Sequence, residues 1–391
     1  MKSRNIVFVH GLLGWGPSEM GGFPYWGYAL KLDTGGFNVH EASCGPISSF
    51  HDRACEVAAQ IRGTKVDYGK AHSESAKHRQ FSDDHSNKAL VKNWSAENPV
   101  ILVGHSAGGH TGLRLQRLLA EDYWGWGSSA DWVEAIINIS AVLNGSTLPY
   151  MLGCDKKTGL LTGPIGDFIG KAAQIFATAG NGVVPTLFDF DLDQWIGEGH
   201  DKNLPAICAA LEQSDFAKGE DNLAFDLTLQ GGYKANNALQ IHPSTYYLSV
   251  VTQQTTKAWF SPKHYPDPLM NPVLKAGALY QGVKVNFDVD PIPGWGTGNL
   301  QISAWRENDG AVSAISQRYP FTAGQHPVGG EEIFDRQSID KGKWYFEKAE
   351  KSTGRSFDHL DVGFGYLSDL TIVEAHKTLY RNIYRLLARL P

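Results

Sequence analysis

Residues 99–109 read PVILVGHSAGG, four consecutive apolar residues (Val100 to Val103) running into Gly104, His105, Ser106, Ala107, Gly108 and Gly109. A run that is apolar at every position, not at alternate ones, fits a strand covered on both faces, as in a parallel sheet. Leu115, Leu118 and Leu119 follow at helical spacing, which predicts a sharp strand-to-helix turn at the serine. A serine hydroxyl is a weak nucleophile. It has to stand exposed beside a base and beside donors for an oxyanion. A tight turn provides that position but strains the backbone, and glycine at 104 and 108 removes the Cβ atoms that would collide. This is the G-x-S-x-G pattern in the strand–turn–helix context it requires. It predicts Ser106 as nucleophile, with the Ala107 amide at the helix start facing developing negative charge.

Working outward, strand-like runs occur at 5–11 (NIVFVHG), 37–43 (FNVHEAS), 135–145 (AIINISAVLNG), 245–255 (TYYLSVVTQQT) and 300–305 (LQISAW), and a closing helix starts at Leu370. Alternation with helix-like segments predicts one α/β domain over 1–391 with a mainly parallel central sheet, the α/β-hydrolase arrangement. Residues 44–95 and 146–243 break the alternation and are predicted insertions into that core. The turn HGLLGWG (10–16) can aim a second amide, that of Leu12, at the oxyanion. It has no GxGxxG pattern, and no GxxxxGK[ST] is present, so a phosphate-cradling role is excluded.

Composition narrows the classes further. The chain has 391 residues, 42% apolar and 11% aromatic, with a net charge of −6. Lys and Arg are scattered, which argues against nucleic acid as a partner. Cys44, Cys55, Cys154 and Cys208 form no CxxC; a Cys44–Cys55 disulfide and isolated buried thiols both remain open. The apolar run after the initial methionine is too short for a secretory leader, so a mature form or an intracellular protein is expected. Residues 158–188 are broken by Gly and Pro and carry Asp167 and Lys171, unlike a membrane span.

The acid and base should follow the serine in the order acid, then histidine. Asp309 of AWRENDGAVS and His359 of RSFDHLDVGF fit best, with Asp290 and Asp358 as alternative acids. His10 and His105 lie in motifs where they would support turns, and His264 and His326 have the Pro-rich surroundings of surface loops. In GPIGDFIGKAAQIFATAG (163–180), Ile165, Phe168, Ile169, Ala172 and Phe176 recur at helical spacing, opposite Asp167, Lys171, Gln174 and Thr178. This predicts an amphipathic helix able to fold over the Ser106 end of the sheet as a lid. Glycines 163, 166 and 170 before it and 180 and 182 after it would let it bend.

Six stretches carry a resemblance that extends over nearly the whole chain: 9–27 (VHGLLGWGPSEMGGFPYWG), 45–72 (GPISSFHDRACEVAAQIRGTKVDYGKAH), 188–197 (FDFDLDQWIG), 244–250 (STYYLSV), 305–313 (WRENDGAVS) and 357–362 (FDHLDV). The sequence resembles the thermoalkalophilic bacterial lipases of family I.5, which are related to staphylococcal lipases. The resemblance implies ester hydrolysis of lipase type by Ser106, Asp309 and His359, with the Leu12 and Ala107 amides as the oxyanion hole. Lipid or ester substrates, a lipid–water interface and secretion are implied with it. It further implies a structural zinc held by Asp52, His72, His78 and Asp226. A calcium site is implied as well, with Asp361 in the acidic position, although the D-P pair of the family pattern is missing. The family's elbow has Gln where this chain has Ala107, which keeps the amide and loses the side chain. A broad esterase or polyesterase with the same triad, and an inactive zinc-binding relative, are the alternatives.

Overall fold

The computed structural model describes residues 4–17, 19–176, 190–197, 199, 203–237, 239–287, 290–295, 302–321, 330–333, 339–364 and 370–391. Among these residues seven strands form one sheet: β1 (Asn5–Val9), β2 (Asn38–Ala42), β3 (Val100–His105), β4 (Val133–Ile139), β5 (Tyr246–Val251), β6 (Gly330–Glu332) and β7 (Trp344–Lys348). Their order is β6-β7-β5-β4-β3-β1-β2, and every neighbouring pair is parallel. Adjacent residues of β3 serve different cores. Ile101 and Val103 pack on one face with Ile6, Phe8 and Ile137, and Val100 and Leu102 on the other with Val7, Val9 and Ile136. Burial on both faces explains the uninterrupted apolar run.

Helices α1 (Phe50–Arg62) and α3 (Ala107–Ala120) cover one face and pack on each other. The long C-terminal helix α6 (Leu370–Arg389) covers the other with Leu379, Tyr380 and Ile383. Ser49 caps α1 by accepting the Asp52 amide at 3.2 Å, and Gly63 ends it in the left-handed region (φ 75°). Beyond α1, a two-stranded hairpin (Lys65–Asp67 with Phe81–Asp84) encloses the short helix α2 (Lys70–Ala76). In the second predicted insertion, α4 (Ile165–Phe176) packs on α5 (Leu204–Gln213).

Two expectations are corrected. The stretch predicted as a strand over 300–305 is a 3₁₀ helix at Ile302–Trp305. Ile302 and Trp305 are buried and Ser303 and Ala304 exposed, the three-residue period of a 3₁₀ turn and not the alternation of a strand. Strands β6 and β7 were not anticipated, although WYFEK in β7 carries the aromatic bias of a strand. All four cysteines are free thiols. Among the described residues, no helix is long and apolar enough to cross a membrane.

Candidate active site and metal centre

The elbow explains its glycines. Ser106 has φ 56° and ψ −123°, a positive φ that side chains rarely adopt. A Cβ on Gly104 would come within 2.4 Å of the Gly108 carbonyl carbon, and one on Gly108 within 2.0 Å of the Val9 carbonyl oxygen. The turn is therefore wedged between β1 and its own helix, with no room for relaxation. The Ser106 amide donates to the Ile139 carbonyl at 3.0 Å, which fixes it to the end of β4.

Leu12 stands on the turn after β1, across from the elbow, where Gly11 backs directly onto Ser106 (a Cβ there would be 2.7 Å from the serine Cβ). Among the described residues, neither the Leu12 nor the Ala107 amide has a protein acceptor, as an oxyanion hole requires. Tyr25 and His105 hold this turn in place. The Gly11 amide donates to the Tyr25 phenol oxygen at 3.0 Å, and that hydroxyl lies 2.6 Å from His105 Nδ1. His105 Nε2 lies 3.1 Å from the His359 carbonyl oxygen. A carbonyl only accepts, so Nε2 carries the proton and Nδ1 accepts from Tyr25. From the other side, the buried Arg53 donates to the carbonyls of His10 and Gly45 and, at 3.1 Å, to the Thr111 hydroxyl of α3. The sequence assigned His10 and His105 to turn support, and both are buried there.

Asp309 and His359 come together. Their Oδ2 and Nδ1 atoms are 2.9 Å apart, and the His359 amide donates to the Asp309 carbonyl, also at 2.9 Å. The carboxylate is saturated otherwise: Oδ1 accepts the amides of Ala311 and Val312, and Oδ2 accepts Thr252 Oγ1 and Gln317 Nε2. His359 and Ser106 line the same cavity, together with Leu12. Of the alternative acids, Asp358 accepts the amides of Asn271, Leu360 and Asp361, and burial pushes its pKa up to about 6. Asp290 accepts its near neighbour Ile292. His264 stands on a separate hairpin at Thr255, and His326 lies outside the described residues.

A second cluster sits between α1, α2 and the segment after α5. His72 Nε2 lies 3.1 Å from Asp52 Oδ1 and 3.2 Å from Asp221 Oδ2, and His78 Nε2 lies 3.7 and 3.4 Å from the same two oxygens. Four ligands at about 2.0–2.2 Å from a tetrahedral ion stand about 3.3–3.6 Å apart, close to these edges, so the group could hold a metal ion. Among the described residues, His78 Nε2 and Asp221 Oδ2 are buried with no hydrogen-bond partner. His78 Nδ1 donates to the Arg79 carbonyl at 2.7 Å, leaving the Nε2 lone pair aimed at the centre. Gln194 Nε2 donates to the second Asp52 oxygen at 3.0 Å. Burial alone would lower the His72 pKa, but Asp221 and Asp52 raise it to about 10, so the two carboxylates favour positive charge at this point.

The fourth predicted ligand, Asp226, is not in this group; Asp221 takes its place. Asn222 starts a short helix at Leu223–Asp226 by accepting the Phe225 amide. The helix carries Asp226 away from the histidines to accept the Phe50 amide at the start of α1, at 2.6 Å. Burial pushes the Asp226 pKa up to about 7. Asp361 accepts the Asp358 amide at 3.1 Å and, among the described residues, belongs to no such ligand group. Residues 365–369, which follow it, lie outside the described residues.

Residues 2–124 match the family described as a lipase-like C-terminal domain. Lipase 1 of Staphylococcus aureus is 26% identical over 384 residues, covering 91% of this chain and 50% of its own length. The lipase of Staphylococcus hyicus is 27% identical over 386 residues, covering 91% and 53%. Over nine-tenths of its length the chain is similar to the staphylococcal lipases. It spans about half the length of these curated relatives. Among solved structures, EstA from Clostridium botulinum superposes with TM-score 0.76 at 27% identity (100% of this chain, 88% of that one). Lipase 1 from Pelosinus fermentans superposes with 0.73 at 26% (100% of both). The S. hyicus lipase structure gives 0.72 at 24%, covering 98% and 96%. With these relatives, the parallel sheet and its elbow are an α/β-hydrolase fold.

Proposed function

We propose that this relative of the staphylococcal lipases is a serine carboxylic-ester hydrolase of lipase type, acting on acylglycerols and related esters through an acyl-enzyme. One observation carries the reading: the saturated Asp309 is paired with His359, and His359 shares an apolar cavity with Ser106 at the ends of β3 and β4. Ser106 Oγ attacks the ester carbonyl while His359 Nε2 takes its proton. The Leu12 and Ala107 amides receive the oxyanion. His359 returns the proton to the departing alcohol, then draws one from the water that releases the acid. Asp309 fixes the ring so that Nδ1 keeps its hydrogen and stabilises the imidazolium.

The helix α4 is the proposed lid. Ile165, Phe168, Ile169 and Ala172 are buried and Asp167, Lys171 and Gln174 exposed, in line with the amphipathic pattern; glycines 180 and 182 and Thr178 lie outside the described residues. Phe168 lines the Ser106 cavity with Leu148, Leu152 and Leu227, and that cavity holds only about 20 Å³. That is room for a water, whereas ligand pockets occupy about 300–1,000 Å³. An acyl chain therefore needs α4 to move, and a lipid surface offers its apolar face a second partner.

Two imidazoles and two carboxylates in a tetrahedral outline suit zinc. Asp52, His72, His78 and Asp221 would hold it, and four protein ligands make it a structural tie between the 44–95 segment and the segment carrying Asp221. A chain-length series of p-nitrophenyl esters, each as dissolved monomer and as emulsion, tests the activity. Rates that rise with chain length and jump on emulsification are expected. A peak at short dissolved esters supports the esterase alternative, and no turnover removes the enzyme reading.

A further inference from the structure

We infer that the hairpin formed by Thr255–Lys257 and His264–Pro266 is an anchor that seats the protein on an anionic lipid surface. The inference extends the lipase reading from the site to its mode of docking. Trp259 is 89% exposed and Phe260 95%, with ring centroids 6.1 Å apart at the hairpin tip. Folded chains bury aromatic area of this size unless a partner takes it. Neighbouring Leu269 is 69% exposed as well.

The tip is held out by structure. The Ala258 amide donates to the Lys263 carbonyl at 2.8 Å and closes the four-residue turn 259–262. The base is rooted in the catalytic loops: the Gln254 amide donates to the Asn308 carbonyl, and the Asn308 amide to Thr255 Oγ1. Asn271, just past the hairpin, donates its amide to Asp358, beside His359. The next turn, Pro272–Leu274, packs against α4. The aromatic tip thus belongs to the same end of the sheet as Ser106 and its cover.

Chemistry selects the occupant. Lys257 and Lys263 flank the ring pair and are both exposed, and the nearby Asp267 is engaged by the Thr256 hydroxyl. Indole and phenyl rings beside lysines suit the boundary between headgroups and acyl chains. A second protein copy fits poorly, because two rings on a convex turn cannot supply the roughly 800 Å² per partner of a stable interface. A bilayer needs no matching surface.

The test measures binding without catalysis. Ser106→Ala protein is sedimented with vesicles of phosphatidylglycerol and, separately, of phosphatidylcholine. Adding Trp259→Ala and Phe260→Ala is expected to weaken binding to both by about tenfold or more. Adding Lys257→Gln and Lys263→Gln instead is expected to erase the preference for phosphatidylglycerol. With Ser106 present, the aromatic double variant should keep its melting temperature and its rate on dissolved p-nitrophenyl acetate, yet lose rate on emulsified triacylglycerol. Unchanged vesicle binding in the aromatic variant overturns the anchor. So does a concentration-dependent dimer that these changes abolish while vesicle binding stays absent throughout. Hairpin-dependent vesicle binding by a chain that hydrolyses no ester would leave the anchor standing and remove the lipase reading.

Discussion

The phenol oxygen of Tyr25 lies 2.6 Å from Nδ1 of His105 and accepts the Gly11 amide, so one hydroxyl joins the turn after β1, the proposed oxyanion turn, to the elbow strand. Through His105 Nε2 the same chain reaches the carbonyl of His359. Phenylalanine at position 25 would keep the ring and leave a buried amide and a buried imidazole nitrogen unpaired. Tyr25→Phe is expected to lower stability by about 1–3 kcal/mol and to reduce kcat more than it raises KM. Urea unfolding and steady-state kinetics on one dissolved ester check both effects. An unchanged unfolding midpoint contradicts the role given to the hydroxyl.

Metal content should separate two aspartates only five residues apart. Asp221→Asn is expected to strip the metal from the purified protein and to lower its melting temperature, because Asp221 meets both histidines. Asp226→Asn should keep the metal, since Asp226 caps the start of α1 instead. Elemental analysis of the two variants decides; metal loss from Asp226→Asn alone would reverse the assignment. Chelation of the unaltered protein should also loosen the oxyanion turn. Asp52 faces the metal group, and Arg53 beside it grips the His10 carbonyl.

These two aspartates also show where sequence reading stops. The sheet and elbow were legible because double-sided burial writes a continuous apolar run, and because only glycine fits at 104 and 108. The amphipathic stripe of α4 was legible for the same kind of reason, one face being buried. The choice between Asp221 and Asp226 depends on the direction the chain takes after Asn222, and two acidic residues flanking a capped turn look alike in one dimension. Ile302–Trp305 misled because alternate apolar residues over 300–305 suit a strand, while burial of residues three apart declares a 3₁₀ turn. The Tyr25–His105 link leaves no local pattern, since its partners are 80 residues apart.

Phe168 tests the cover over the serine. It is buried on the inner face of α4 and lines the Ser106 cavity. Phe168→Asp is expected to cut hydrolysis of emulsified long-chain esters more than that of dissolved short ones, since it removes the apolar face that would meet lipid and acyl chain. Rates for both substrate classes check this, and equal losses would make α4 plain scaffold.

His376 should carry part of the acid sensitivity. It is buried on the inner face of α6, donates Nδ1–H to the Asp361 carbonyl, and burial lowers its pKa to about 4. The unfolded chain, with a histidine pKa near 6.5, binds a proton that the native state refuses between those values. Its stabilisation is therefore full above about pH 6.5 and is lost as pH falls toward 4. Buried carboxylates such as Glu56, raised to about 8 by burial, act in the opposite sense, so a difference measurement is needed. The gap in unfolding free energy between the unaltered protein and His376→Asn should shrink from pH 7 to pH 4.5. A constant gap contradicts the assignment.

The central claim is that Ser106 is the nucleophile, and a covalent trap addresses it most directly. Protein treated with diethyl p-nitrophenyl phosphate is digested and its peptides are weighed. The account predicts one diethylphosphoryl group, on Ser106, with loss of ester hydrolysis in proportion to labelling. Ser106→Ala, with an unchanged circular dichroism spectrum, should take up no label and hydrolyse no ester. Stoichiometric labelling of another residue, or ester hydrolysis surviving in Ser106→Ala, would contradict it.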